Sequence, residues 1–441
     1  MKKFLAIALA LILALGMVAC STPAEAPAEE PAAETPAEEA PAEEAPAEEA
    51  PAEEAPAEEA TDGRAAREPI AAADLKIGVI LVHDENSGYD LAHIEGIQAA
   101  IAELGIDESQ VIFKYNIPED ETCYDNAVDL AEQGCQIVFS DSYGHQTYMM
   151  QAAAEYPDVT FVACTGDMAA ASTPNTANIF PYTFQSRYVS GVVAGMKLKE
   201  LMDAGTVTDP YVGYVGAYPY DEVVSGYTAF YLGIKSIVPD AHMDVQYTNS
   251  WYDPVAEGEA ANALIAKGCV IIGQHADSTG APQAVQAQLD AGKVCYSVGY
   301  NIDMLSVAPT AALTSSQNNW AALYTPTINR MLTGEAMPAD FALGYADNAV
   351  MISALGESCA EGTAEKVEEV VAGLKDGSIQ VFDTANFTVG GETVTSTPAL
   401  DTDGDFVKDS GEAIVDGAFQ ESVLRSAPYF GLRIDGITEL N

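Results

Sequence analysis

Two clusters of side chains near the middle of the chain have the types and spacing to do chemistry. Asn249-Ser250-Trp251-Tyr252-Asp253-Pro254 follows the strand-like run Val245-Gln246-Tyr247-Thr248. Gln274-His275-Ala276-Asp277-Ser278 follows the apolar run Cys269-Val270-Ile271-Ile272-Gly273. An Ala-rich helical stretch ending at Lys267-Gly268 joins them, so the segment reads as one β-α-β unit. Ligands of open α/β sheets collect at the carboxyl ends of strands, which places both clusters on one rim. The aromatic pair offers flat apolar faces, and the Gln, His, Asp and Ser offer both donors and acceptors. Facing one cleft, they suit a flat ligand with a hydrogen-bonding edge. Trp251 and Tyr252 would also serve as core aromatics, but their place between Asn249-Ser250 and Asp253-Pro254, where a loop begins, favours a site wall.

Catalytic signatures are missing. The chain has no Gly-x-Ser-x-Gly elbow, no Gly-Lys-Ser/Thr phosphate loop and no His-Glu-x-x-His pair. His83, His145 and His275 each follow a strand, but their spacing matches no recurrent zinc pattern. Of the cysteines beyond Cys20, Cys135, Cys164, Cys269 and Cys295 sit in or beside apolar runs, where a free thiol packs as a small core residue. Asp401, Asp403, Asp405, Asp409 and Glu412 fall at positions one, three, five, nine and twelve of a Ca²⁺-binding loop. Phe406 stands where that loop turns on Gly and no clear helix precedes it, so an acidic surface turn is the competing reading. Apart from this Ca²⁺ loop, no cofactor is expected.

The elements that position these residues follow from pattern. With 441 residues, 48% of them hydrophobic, the chain can fill large cores, and its formal net charge of −49 with only 18 Lys and Arg excludes a nucleic-acid polyanion as partner. Residues 1–20 are organised as an export signal: Met1-Lys2-Lys3, an apolar run from Phe4 to Leu15, then Gly16-Met17-Val18-Ala19-Cys20. Cys after small residues matches a bacterial lipobox, which predicts lipidation of Cys20 and a membrane anchor on the extracytoplasmic face. Residues 21–74 follow as a tether of Pro-Ala-Glu-Glu repeats, too poor in apolar side chains to repay folding entropy. From Leu75 on, strands such as Lys76–Val82, Val111–Tyr115, Gln136–Ser140 and Thr160–Cys164 alternate with amphipathic helices. That alternation predicts an α/β fold with doubly wound parallel sheets. A second set of cycles after Asn178–Phe184 predicts two lobes with a cleft between them.

With these motifs, together with Glu155-Tyr156-Pro157-Asp158-Val159-Thr160-Phe161, Val212-Gly213-Tyr214-Val215-Gly216 and Gly299-Tyr300-Asn301-Ile302-Asp303-Met304, the chain resembles the basic membrane protein (BMP) family of substrate-binding lipoproteins of ABC importers. The resemblance covers about residues 75–345 and rests on several separate motifs in order. It implies a type I periplasmic-binding-protein fold with three crossovers, lobe 1 comprising 75–184 and about 305–338, and lobe 2 comprising 185–304 and about 339–441. It implies a monomer that captures a purine nucleobase or nucleoside and delivers it to a permease, without enzymatic activity. Carried over residue by residue, Trp251 and Tyr143 would stack on the ring, Asp277 and Gln274 would bond its edge, and His275 would donate or accept. Asp84 and Asn86 would contact it from the first loop, and Asp303 would bond a ribose or the far edge. The first loop lacks the family's usual Phe-Asn pattern, so base and nucleoside both stand. A nucleoside hydrolase or deaminase, and a sensor or adhesin lobe, are the other classes consistent with such a cleft. Sugars are disfavoured because the expected cleft holds no Arg, which sugar sites of this fold usually add.

Overall fold

The apolar run after Leu75 becomes β1 (Ile77–Ile80), buried along its whole length, as a central strand covered on both faces must be. The computed structural model, which describes residues 64, 66–401 and 407–441, continues with α1 (Gly88–Leu104), β2 (Val111–Lys114), α2 (Glu121–Glu132), β3 (Ile137–Ser140), α3 (Gln146–Glu155), β4 (Thr160–Ala163) and β5 (Thr176–Ile179). These strands pair in parallel, with β1 between β2 and β3 and then β4 and β5 outward. Local chemistry sets the helix ends. The Ser87 side chain accepts from Asp90 N to start α1, and Gly105, at φ 68, closes it in the left-handed region. The expected crossover at 178–184 begins later than the sequence pattern indicated, because Thr176–Ile179 is a fully buried fifth strand.

The chain then crosses to the second lobe through α4 (Thr183–Asp203), followed by β6 (Tyr211–Gly216), α5 (Asp221–Lys235), β7 (His242–Tyr247), α6 (Pro254–Lys267), β8 (Ile271–Gln274), α7 (Gly280–Asp290), β9 (Tyr296–Tyr300) and β10 (Ala312–Asn318). The β7-α6-β8 unit is the one expected from sequence. Asp253 caps α6 by accepting from Val255 N and Ala256 N, Pro254 occupies its first turn, and Gly268 ends it at φ 112. Helices α4 and α5 approach at backbone distance: a Cβ on Gly191 would lie 2.1 Å from Phe230 O, and one on Gly233 would lie 2.2 Å from Tyr188 O. That approach buries Arg187 of α4 beneath the second sheet.

Helix α8 (Ala321–Thr333) returns to the first lobe, where Leu323, Tyr324 and Ile328 join the core with Ile97 and Phe139. β11 (Asp340–Phe341) adds in parallel to β5, and β12 (Val350–Ile352) runs antiparallel to β10. The remainder comprises α9 (Thr363–Lys375), the hairpin of β13 (Pro398–Leu400) with β14 (Ser410–Glu412), the hairpin of β15 (Ile414–Val415) with β16 (Ala418–Phe419), and β17 (Ile437–Glu439), which pairs with β7. The sheets are ordered β11-β5-β4-β3-β1-β2 and β12-β10-β9-β8-β6-β7-β17. The backbone passes between lobes after β5, β10 and β11, giving the three crossovers.

Two expected boundaries shift. Residues 312–318 belong to the second sheet, not to lobe 1, because β10 pairs with β9; residues 340–341 belong to the first sheet, not to lobe 2, because β11 pairs with β5. The tether also ends earlier than 74. Arg64 donates to the carbonyls of Pro174, Thr176 and Ala169, Ile70 N donates to Met331 O, and Ile70 packs on the first-lobe core. The signal segment, Cys20 and most of the tether lie outside the described residues, as do Asp403 and Asp405. Cys123, Cys135, Cys164, Cys269, Cys295 and Cys359 stand as free thiols, all but Cys359 buried, in keeping with the core reading. Among the described residues no helix is long and apolar enough to cross a membrane.

Candidate ligand-binding site

The carboxyl ends of strands from both sheets converge on a partly open pocket of ≈ 360 Å³ empty volume, solvent-filled space included. The first lobe contributes Val82, Tyr89, Asp141, Ser142, Tyr143 and Thr165; the second contributes Glu222, Trp251, His275, Asp277 and Tyr300. The lobes meet beside it, where Gly88 N donates to Asp277 O at 3.2 Å. A Cβ on Gly88 would come within 3.3 Å of Ile302 and 3.4 Å of Asp277 O, so this contact is tight.

The second-lobe wall is held by internal bonds. Asp277 N donates to Trp251 O at 2.8 Å, tying the two sequence clusters together, and Asp277 Oδ1 accepts from Asn301 Nδ2 at 2.9 Å. Trp251 packs edge-on against Tyr218, ring centroids 5.2 Å apart. His275 lies against Tyr300, with its Nε2 3.4 Å from Glu222 Oε1. Behind Tyr300 lies Arg187, 2% exposed, its guanidinium 3.5 Å from the ring centroid and its Nη1 donating to Gln274 O at 2.6 Å. On the first-lobe wall, Asp141 Oδ1 accepts from Val82 N at 3.0 Å, the Tyr89 hydroxyl lies 2.9 Å from Asp141 O, and Tyr143 donates to Asp167 Oδ2 at 2.8 Å.

Burial governs the charge states. It pushes Glu222 up to about 7, with Arg187 only partly offsetting it. Burial, then the charges of Asp90, Glu257 and Glu222, raises Asp277 well above the usual carboxylate range. Asp141 is raised well above that range by burial and by neighbouring Asp90. Burial also pushes Asp90 upward, but bonds with His83, Asp141 and Ser87 hold it below its usual value, so the pair carries a proton on Asp141. Burial, then Arg187, lowers His275 well below its usual value, so its imidazole is neutral. The pocket therefore presents neutral donors and acceptors beside aromatic faces. The Tyr300 hydroxyl, His275 Nδ1 and Thr165 Oγ1 are buried without a protein partner. Such groups are costly unless something else bonds them.

Of the residues expected from sequence, Tyr143, Trp251, His275 and Asp277 meet at this pocket. Four do not line it. Asp84 and Asn86 bond each other at 2.8 Å in an exposed turn, because the short β1–α1 loop folds on itself. Gln274 turns its amide back to donate to Ala276 O and Ser278 O, bracing the loop that carries His275 and Asp277. Asp303 is exposed and caps a short 3₁₀ turn through Leu305 N. At the Asp-rich loop, Glu412 Oε1 accepts from Thr397 N and Ile414 N, and its Oε2 accepts from Ser396 Oγ. Among the described residues no group of three or more His, Cys, Asp or Glu is placed to hold a metal.

Sequence reasoning missed Tyr89, Asp141, Glu222 and Tyr300 in the lining and Arg187 behind it. Asp141 and Tyr300 end strands, a signal that was available. Glu222 in the first turn of α5 and Arg187 inside α4 gave none. The pocket lining holds no Arg, as expected, although Arg187 lies directly behind its Tyr300 wall.

A two-lobed α/β fold with a polar and aromatic pocket between strand ends defines a solute-binding protein. Residues 77–384 match the family of PnrA-like ABC transporter substrate-binding proteins, the Bmp family, and the chain belongs to it. It is similar to a purine-binding protein of Brucella abortus, 29% identical over 71% of this chain and 84% of that one. It is also similar to a putative ABC transporter glucose-binding protein of Haloferax volcanii, 29% identical over 57% of this chain and 60% of that one. The solved ABC transporter solute-binding protein from Conexibacter woesei superposes with a TM-score of 0.55 at 20% identity, over 69% of this chain and 98% of the other. Family and fold are those of solute-binding proteins rather than enzymes.

Proposed function

We propose that this chain is the extracytoplasmic, lipid-anchored receptor of an ABC importer and that it captures a purine nucleobase or nucleoside between its lobes. The observation that carries the reading is the pocket's pairing of Trp251 and Tyr143 with the carboxyl and imidazole groups of Asp277 and His275. Aromatic faces stack on a flat ring, Asp277 accepts from ring and exocyclic N–H groups or, protonated, donates, and neutral His275 does either. The similarity to a purine-binding protein supports this choice. Closure buries the ring and strengthens each bond by excluding water. Cys20 would anchor the chain, and the acidic tether would hold the lobes away from the membrane.

A sugar is the second reading. Buried Arg187, with Nε and Nη2 lacking a protein partner, lies behind Tyr300, and one relative is named for glucose. The test is denaturing extraction of purified protein with mass spectrometry of any small molecule carried, alongside thermal-shift titration of purine bases, their nucleosides and glucose. An unmodified purine with a matching shift supports the first reading. A shift with glucose alone supports the second, and a chemically altered purine returns the enzyme reading.

A further inference from the structure

The residues after β16 leave the second lobe, touch the first, and return. Phe419, Tyr429 and Phe430 are buried in the second-lobe core, where Phe430 stacks on Phe382 at 4.2 Å. Glu421, 3% exposed, pins the two ends together: it accepts from Tyr429 N and Phe430 N at 2.7 Å and from Ser225 Oγ of α5 at 3.1 Å. Between these anchors, Arg425 Nη1 reaches Asp167 Oδ2 of the first lobe at 3.0 Å. Ser426 donates through N and Oγ to Asp340 of β11 at 2.9 and 2.8 Å. The segment lies beyond residue 384, where the family match ends.

What the segment covers gives it a role. Outside the pocket lies a vestibule of ≈ 1250 Å³ empty volume that shares Tyr143, Thr165 and Glu222 with it, and Arg425, Ala427 and Pro428 form part of its wall. The Asp167 oxygen that meets Arg425 is the one that accepts from the Tyr143 hydroxyl. The same ion pair thus ties the lobes together and fixes an aromatic side chain shared by pocket and vestibule.

We propose that residues 420–428 are a strap that gates the cleft, with Arg425 as its positioning residue, latching the lobes through Asp167 and orienting Tyr143. Separating the lobes requires this bond to break. Both partners are partly exposed, 16% and 18%, so the latch is weak enough to open and sensitive to salt. The strap rests on the interlobe pocket but not on the ligand's identity.

The test uses the full chain without ligand. The protein has two tryptophans, and Trp320 is buried, so acrylamide quenching reads Trp251 in the pocket wall, with Trp251→Phe as the background to subtract. Arg425→Ala and Asp167→Ala should each raise the Trp251 quenching constant severalfold, by shifting the open-to-closed ratio. The double variant should do no more than either single one. Arg425→Lys should restore part of the protection, and the charge-swapped pair R425D/D167R should restore more than either swap alone. Raising ionic strength to about 1 M, where screening acts within about 3 Å, should increase quenching in the wild type but not in R425A. Unchanged quenching in correctly folded R425A, or additive effects of the two single variants, would overturn the proposal. A purine titration that fails while these quenching results hold would remove the ligand reading and leave the strap standing.

Discussion

The two walls of the pocket use similar side chains but are built differently. The second-lobe wall is braced from within: Asn301 holds Asp277, the Gln274 amide pins the loop, and Arg187 backs Tyr300. On the first-lobe wall, Asp141 is buried and Tyr89 half-buried, both fixed by hydrogen bonds, but Tyr143 is 38% exposed and is held by Asp167, which Arg425 of the second lobe also grips. The second lobe therefore offers a preformed surface, whereas part of the first-lobe surface is completed by closure. A ligand would dock on the second lobe and be enclosed by the first, a division that fits hinge closure around a bound solute.

This contrast can be broken by substitution. If the second lobe carries recognition, Asp277→Ala should weaken ligand binding by roughly a hundredfold, about 3 kcal/mol for a ligand group left unpaired in the closed pocket, as measured by calorimetric titration. Trp251→Ala should follow with roughly ten- to thirtyfold, the loss of about 1.5–2 kcal/mol of base stacking. Equal losses from Tyr143→Ala would show that the walls contribute alike.

A smaller effect concerns pH. Glu222 is raised from 4.5 to about 7 in the folded protein. The unfolded chain releases this proton above 4.5 while the folded one keeps it until about 7, so stability falls as pH rises through that window. Glu257 and Glu421, also pushed up to about 7 by burial, act in the same direction. Buried His93, His145 and His275, lowered by desolvation, act oppositely below about 6.5, so the melting temperature should fall from about pH 6.5 to pH 8, and Glu222→Gln should shrink that fall by on the order of 1 kcal/mol. A slope of opposite sign would show that these carboxyls are not buried as described. The smallest effect belongs to Asp84→Ala and Asp303→Ala, which should change affinity by less than about twofold, as surface substitutions do.

Legibility in the sequence followed the same division. The β7-α6-β8 unit was readable because Asp253-Pro254 starts its helix, Gly268 ends it, and apolar runs flank it. Reading strand ends therefore located Trp251, His275 and Asp277. Gln274 occupied an equally plausible position, yet its amide bonds its own loop, a choice made by local geometry that residue type does not reveal. Asp84 and Asn86 illustrate the same limit, since two short polar side chains in a turn can satisfy each other. Arg187 and Arg425 were invisible for a different reason. Each reaches its place through long-range packing, the first by the close approach of α4 to α5 and the second by a segment returning across the cleft. The lobe boundaries slipped at β10 and β11 because a short strand's sheet is decided by its partner.

Under the proposed function, the interlobe pocket binds a purine through its second-lobe wall. Calorimetric titration of adenine, guanine, hypoxanthine and their nucleosides into the wild type and Asp277→Ala tests it most directly. The expected result is saturable one-to-one binding of at least one purine by the wild type and its loss in the variant. Saturable binding of glucose but of no purine, or purine binding that survives in Asp277→Ala, would contradict it.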